Sequence, residues 1–583
     1  MIDKTFEIDI KLSKKNQIPV TKVDQYMLHS LYNPILEAEK IVEHNYKPNH
    51  VHILFGLGDG YIAEAFLRQL EDEDYLIIIE PKFKRDKSHL LEVIKRAKEL
   101  KNVSLICVDD IEEVELLFPQ IFSHYLRRVQ IIVSPNYDKL FSSEYKQLLT
   151  SIKKNMMHQI INSNTLRMFA HSWQKNFVLN LADAATSIPL SSLNQNFDFP
   201  VIVASGGPSL IKQIPLLKEH RKNFVLICAG STINSLLKYG IEPDLIVSID
   251  GGDPNYKHFE NIDVSHIPLA YSLTIHNKIV EKHRGTHIVF NLMSHIPTKK
   301  WTNKILCQDI GELRDGQSVA NYALNLATYI TSGAVCLVGQ DLAYTNQATH
   351  AEGNNHFGKL TNDKIEQRKM VLVDDIKGNP VYTDYAFLGM KKAFEEFMNQ
   401  SNLSNVFNCT EGGIPIENIP NQTFEVFLDT FCNNKLNKSL IEVLESTPSL
   451  SVDWANFSDQ VEEILDNLDN VLKSTQKALT SFEKHGYEDL FSNPIVLSKL
   501  EEVDEELKPF LEDEFMFYFL QEVIFQFSHN QIPVKNESEE EYKQRVYIKS
   551  KYLYEGIKEV SVITKMYLSE LKSRLQVTIE NER

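Results

Sequence analysis

Short apolar runs recur along this chain at helix-length intervals, and that rhythm restricts the fold more than any other feature. Residues 51–55, 75–79, 103–108 and 129–133 form a first series, and 201–204, 224–228, 245–249, 268–271, 287–291 and 334–338 a second. An apolar run of this length followed by a crossover of a dozen or more residues is the pattern of a parallel sheet, not of a hairpin meander. After about residue 425 glycine nearly vanishes, and Trp454, Phe457, Val461, Leu465, Leu468 and Val471 recur at helical spacing. The fold class that follows is α/β, with two Rossmann-like units followed by an α-helical C-terminal domain. The expected division is an N-terminal α/β domain at 1–150, a helical connector at 151–198, a central α/β domain at 199–424 and a helical domain at 425–583.

Charge and cysteine usage narrow the function classes. The formal net charge over 583 residues is −18, which disfavours unspecific binding to nucleic acid or anionic membranes. Six cysteines lie scattered with no CxxC pair, against both a zinc ribbon and a stapled secreted scaffold. The first residues carry charges in place of an apolar leader core, and no run of 18 apolar residues follows, so a cytoplasmic protein without membrane insertion is expected.

Four polar segments follow strand runs of the second series, where ligands of open α/β sheets sit. In VIVASGGPSL, at 201–210, an apolar strand runs into Gly206, Gly207 and Pro208. Such a turn lets backbone amides approach a phosphate, with Ser205 and Ser209 adding hydroxyls; a plain strand-to-helix turn is the simpler alternative. The pattern is neither GxGxxG nor a P-loop. AGSTIN at 229–234 and SIDGGD at 248–253 follow, and Asp250 and Asp253 suit a hydroxyl, a ribose, a divalent cation or a mere turn. The segment 333–358 leaves another apolar strand and gathers Asp341, Tyr344, Thr345, His350, Glu352 and His356 in a polar loop. A histidine there suits proton abstraction and a tyrosine hydrogen-bonding to a departing phosphate. His350, Glu352 and His356 are also metal-ligating types, though without an established zincin spacing. In the first series, FGLGDGY at 55–61 with Glu80 has the spacing of a nucleotide or S-adenosylmethionine pocket, against a purely structural turn.

At SGGPSL (205–210), GSTINSLLKYGIEPDLIVSID (230–250), GQSVANYALNLA (316–327), GQDLAYT (339–345) and CTEGGIPI (409–416) the sequence resembles the motility-associated factor (Maf) flagellin glycosyltransferases. The resemblance implies transfer of a pseudaminic or legionaminic type nonulosonic acid from a CMP-activated donor to Ser or Thr of flagellin, in support of flagellum assembly and motility. The central unit is also similar to bacterial sialyltransferases. That likeness implies donor contacts from Ser205, Gly206, Gly207, Pro208 and Ser209, with Asn234, Asp250, Ser318 and Asp341 nearby; Tyr344 would assist departure of the phosphate, and His350 or His356 would act as base. No cofactor beyond the CMP-sugar is firmly implied, and a divalent cation is left open. The same unit is similar to archaeal 6-hydroxymethylpterin diphosphokinases, under which Asp250 and Asp253 would hold Mg²⁺ for ATP. A flagellin-binding chaperone with a vestigial pocket is a third expectation.

Overall fold

The computed structural model of this protein describes residues 6–83, 88–195, 197–294, 296–533 and 537–582. It is a mixed α/β structure with two parallel sheets and an α-helical C-terminal region, and it divides into two compact units. The first comprises 1–168, 477–502 and 521–557; the second comprises 169–476, 503–520 and 558–583. The C-terminal helices are thus shared out between the two units.

In the first unit an antiparallel ribbon of β1 (Ile8–Leu12), β2 (Pro19–Val23) and β3 (Tyr26–Met27) precedes β4 (Val51–Phe55), β5 (Tyr75–Pro81), β6 (Val103–Val108) and β7 (Val129–Val133). The last four form a parallel sheet in the order β6-β5-β4-β7. Its central strands β4 and β5 read as predominantly apolar runs because both faces are covered, whereas the outer strands β6 and β7 are half-exposed. Val51, Ile53, Phe55, Ile77 and Ile79 enter one core, and Leu54, Leu76 and Ile78 enter another.

The second unit holds β8 (Ile188–Pro189), β9 (Val201–Ala204), β10 (Val225–Ala229), β11 (Leu245–Ser248), β12 (Leu269–Ser272), β13 (His287–Leu292), β14 (Glu312–Leu313), β15 (Val335–Val338), β16 (Val371–Asp374), β17 (Pro380–Thr383) and β18 (Val406–Asn408). The main sheet runs β14-β13-β12-β11-β10-β9-β15-β18, with β8 beside β13 and every described pairing parallel. The chain therefore builds outward from β9 to β14 and then returns to the opposite side of β9. Open α/β sheets bind ligands in the crevice at such a reversal, which here falls at the carboxyl ends of β9 and β15. The stretch expected as a helical connector contributes β8, so its end belongs to the sheet. β16 and β17 form a separate antiparallel hairpin.

The helical spacing read from the sequence is realised in the helix Trp454–Lys484, where Phe457, Val461, Leu465, Leu468 and Val471 are buried. The aromatic run that follows is a buried helix face: Phe515 stacks on Trp301 at 4.1 Å and lies with Phe177, Tyr518 and Phe519. Among the described residues no helix is long and apolar enough to cross a membrane.

Two buried histidines make the fold sensitive to acid. Burial lowers His52 to about 4, with its Nε2 accepting the Lys47 amide, and burial lowers His287 to about 3 beside His283. Both pKa values lie below the unfolded value near 6.5, so unfolding takes up protons in this window. The stabilising contribution is complete above about pH 6.5 and is lost as the pH falls towards 4, at about 1.4 kcal/mol per pH unit for each group. Urea unfolding between pH 7 and 5 is expected to show this slope, and His52→Gln to flatten it by about one histidine's share.

Candidate active site

The crevice between β9 and β15 is closed at its base by the chain itself. Ser209 directs both its amide and its hydroxyl to the Asp341 carboxylate, the hydroxyl at 2.6 Å, and the Gly207 amide donates to the Gly339 carbonyl at 2.8 Å. Ser205 Oγ donates to Gln340 Oε1 at 2.6 Å. The backbones meet so closely that a Cβ on Gly207 would lie 2.1 Å from Asp341 Oδ1 and 2.4 Å from the Gly339 oxygen. From the third side the 409–416 motif seals the joint: Gln340 donates to Thr410 Oγ1, Ile414 donates to the Asp341 carbonyl, and Gly413 sits at φ +71° against it. Asp341 is buried, and that burial raises its pKa against the opposing hydrogen bonds from Ser209.

The consequence for the expected phosphate cradle is direct. A carboxylate of the protein already occupies the N-terminal end of the helix Leu210–Glu219, so the Gly207 and Ser209 amides are committed internally. Ser205, Ser209 and Asp341 act as struts; the solvent-reachable part of the turn is Gly206 and Gly207.

Above Gly206 the loop leaving β15 folds back. The Ala351 amide donates to the Gly206 carbonyl, and a Cβ on Gly206 would lie 2.9 Å from Asn354 Nδ2, 3.5 Å from Thr232 Oγ1 and 3.9 Å from His350 Cδ2. His350 is half-buried, bonds the backbone of His356, and has no hydrogen-bond partner on its buried Nδ1 among the described residues. Burial, reinforced by the neighbouring His356, lowers its pKa to about 4, so it is neutral at physiological pH. His356 is exposed, 5.7 Å from His350 and 5.0 Å from His258 between ring centroids. Asn234, expected at the donor, instead donates to the His258 carbonyl at 3.1 Å, supporting this histidine group from behind. Among the described residues no cluster of three or more His, Cys, Asp or Glu side chains is arranged to hold a metal ion.

Tyr344 does not present its hydroxyl to the crevice. It is buried and donates to Asp384 Oδ2 at 2.7 Å, and Arg368 Nη1 donates to both oxygens at 3.0 Å. Burial and the Asp384 carboxylate push the tyrosine up to about 12. Ser318 is spent on its own helix: its amide and hydroxyl both donate to Asn321 Oδ1 at the start of Val319–Ile330. Asp250, past the end of β11, is exposed to solvent, and partial desolvation by its surroundings raises its pKa. Asp253 points outward, 85% exposed, and pairs with His276 Nε2 at 3.1 Å. Sequence reading passed over Thr232, His258, Asn354, Arg368 and Asp384. Thr232 and Asn354 lie inside segments already singled out, whereas Arg368 and Asp384 carry no local pattern linking them to Tyr344.

The glycine-rich turn after β4 has a structural occupant. The Tyr137 ring fills the space a Cβ on Gly56 would need, at 2.4 Å, and its hydroxyl donates to Glu80. Glu80 also accepts the Leu57 amide at 2.7 Å. The acid expected to hold a ribose is therefore committed to the turn itself.

The β9–β15 joint yields a stability test. Gly207→Ala must force the turn away from Asp341 and Gly339, and we expect a loss of roughly 2–4 kcal/mol, measured by chemical denaturation.

Comparison with known proteins agrees with this architecture. The family described as 6-hydroxymethylpterin diphosphokinase MptE-like matches residues 175–347. No curated protein sequence matches the chain. A solved structure, that of a Maf glycosyltransferase from Magnetospirillum magneticum AMB-1, aligns with a TM-score of 0.57 at 14% identity over 98% of this chain and 95% of that one. The expected likeness to Maf glycosyltransferases is thus present in the fold along nearly the whole chain, and the likeness to the pterin diphosphokinase family is present in the sequence of the central unit.

Proposed function

We propose that this protein is a cytoplasmic glycosyltransferase that moves a pseudaminic or legionaminic type nonulosonic acid from a CMP-activated donor to Ser or Thr of flagellin, in support of flagellum assembly and motility. The observation that carries the reading is a neutral, partly enclosed histidine, His350, packed against the accessible Gly206 at the strand-order reversal. The fold shared with a Maf glycosyltransferase supports the class of reaction. Both parallel-sheet units are taken as Rossmann-like, and the segments 1–150, 151–198, 199–424 and 425–583 as the functional modules.

In this reading the donor lies over Gly206 and Gly207, with Thr232 and Asn354 beside its polar groups. Ser205, Pro208, Ser209 and Asp341 hold the turn, and Ser318 and Asn234 support its surroundings. The acceptor hydroxyl oxygen forms a bond to the anomeric carbon as the bond from that carbon to the phosphate oxygen breaks; the bonding pair leaves with CMP. His350 takes the hydroxyl proton. His356 stands at the rim of the histidine group, and Tyr344 positions Arg368.

A second reading, a pterin diphosphokinase-like enzyme using ATP and Mg²⁺, is favoured by the family match over 175–347 and by the accessible Asp250. Thermal-shift titrations separate the two: a rise in melting temperature with CMP supports the transferase, and one with ATP and Mg²⁺ alone supports the kinase. The deciding experiment is the intact mass of the cognate flagellin after incubation with CMP-nonulosonic acid, where a gain of one or more sugar masses is expected and an unchanged mass counts against transfer. His350→Ala should lower kcat by about 10²–10⁴-fold. With His350 held near 4, kcat/KM should stay level down to about pH 5 and fall below it, because the base must be unprotonated to accept the proton.

A further inference from the structure

We propose that Arg368 is the arm that grips an oxyanion of the donor, the phosphate or the sugar carboxylate; this rests on the transferase reading above. Arg368 follows the helix Asn362–Gln367, 24 residues after Tyr344 and 16 before Asp384, yet its guanidinium is seated on a built support formed by the two. One nitrogen, Nη1, is used twice, at 3.0 Å to the Tyr344 hydroxyl and 3.0 Å to Asp384 Oδ2. The support is itself fixed: Asp384 is 5% exposed and caps the helix Tyr385–Ser401 through the Phe387 amide at 2.9 Å, and the Tyr344 ring packs on Phe387 at 5.1 Å. Burial opposes the charge on Asp384, but bonds from the Phe387 amide, Tyr344 and Arg368 hold its carboxyl below the usual range, so the base of the arm stays anionic.

The outer part of the guanidinium is unused. Its side chain is 59% exposed, and Nε and Nη2 have no acceptor among the described residues. A planar guanidinium held by one nitrogen presents its remaining donors in a fixed direction, the geometry that suits a carboxylate or phosphate and that a mobile ammonium does not reproduce. Its charge is also felt at His350, which places it within electrostatic reach of the proposed base. Two other cations near the site are engaged: Lys238 pairs with Glu352 at 3.0 Å, and Lys212 donates to the Glu411 carbonyl at 3.0 Å. Arg368 thus supplies the positive group that the Gly207–Ser209 turn, occupied by Asp341, does not offer to an incoming anion.

The test compares wild type, Arg368→Gln and Arg368→Lys by calorimetric titration with CMP and with CMP-nonulosonic acid, with melting temperature as the fold control. Arg368→Gln should weaken binding of CMP-nonulosonic acid by about 10- to 100-fold at an essentially unchanged melting temperature, and Arg368→Lys should recover only part of the loss. If CMP loses affinity by the same factor, the oxyanion is the phosphate; if CMP is unaffected, it is the carboxylate. Arg368→Gln binding both ligands like wild type overturns the proposal while leaving the transferase reading intact. Wild type binding neither ligand overturns the transferase reading, and the arm with it. Should Arg368→Gln fail to fold, Arg368→Lys decides: full wild-type affinity at both low and high salt overturns the proposal, and a salt-dependent loss upholds it.

Discussion

The buried carboxylate of Asp341 is the constraint from which the geometry of the central unit follows. An ionised group is costly to remove from water unless its oxygens are hydrogen-bonded, and here the Ser209 amide and hydroxyl meet it at the start of a helix. Together with the Gly207–Gly339 bond this ties the strand that begins the sheet to the strand that returns to its far side. The crevice is therefore rigid at its base, and the loop that leaves β15 starts from a fixed point. Gly207 and Gly413 follow from the same contact, because there the backbones approach more closely than a Cβ permits.

This economy has a chemical side. A helix N-terminus facing a ligand is a ready anion site, but here the protein has satisfied it with its own side chain. Positive charge for a ligand has to come from elsewhere, and the loop carries it in a guanidinium braced by Tyr344 and Asp384. The same loop carries His350, whose burial removes its charge. The excursion from the rigid sheet thus carries both a braced cation and a neutral imidazole.

Much of the fold was legible in the sequence, since apolar runs buried on both faces, as at 51–55 and 201–204, leave a signal that no surface requirement interrupts. The helix at 454–484 was legible for the complementary reason, a single apolar stripe. Around the candidate site, the two segments holding Gly206 and His350 each stood out by themselves, but that they meet did not. What the sequence hid were commitments made across distance. Asp341 lies 132 residues from Ser209, and nothing near either shows that one caps the other. Tyr344 and Ser318 read as free hydroxyls because their acceptors, Asp384 and the Asn321 side chain, become partners only once the chain is folded. Glu80 reads as a ribose ligand until Tyr137, 57 residues on, is seen to bond it.

The way the two units draw on the chain bears on how the protein is made. Each takes segments from beyond residue 476, the first needing 477–502 and 521–557 and the second 503–520 and 558–583. Both units therefore close through contacts of very long sequence separation, which form late in folding, around sheet cores that are themselves built from residues before 445. A cut anywhere between 477 and 557 would take segments from both bodies at once.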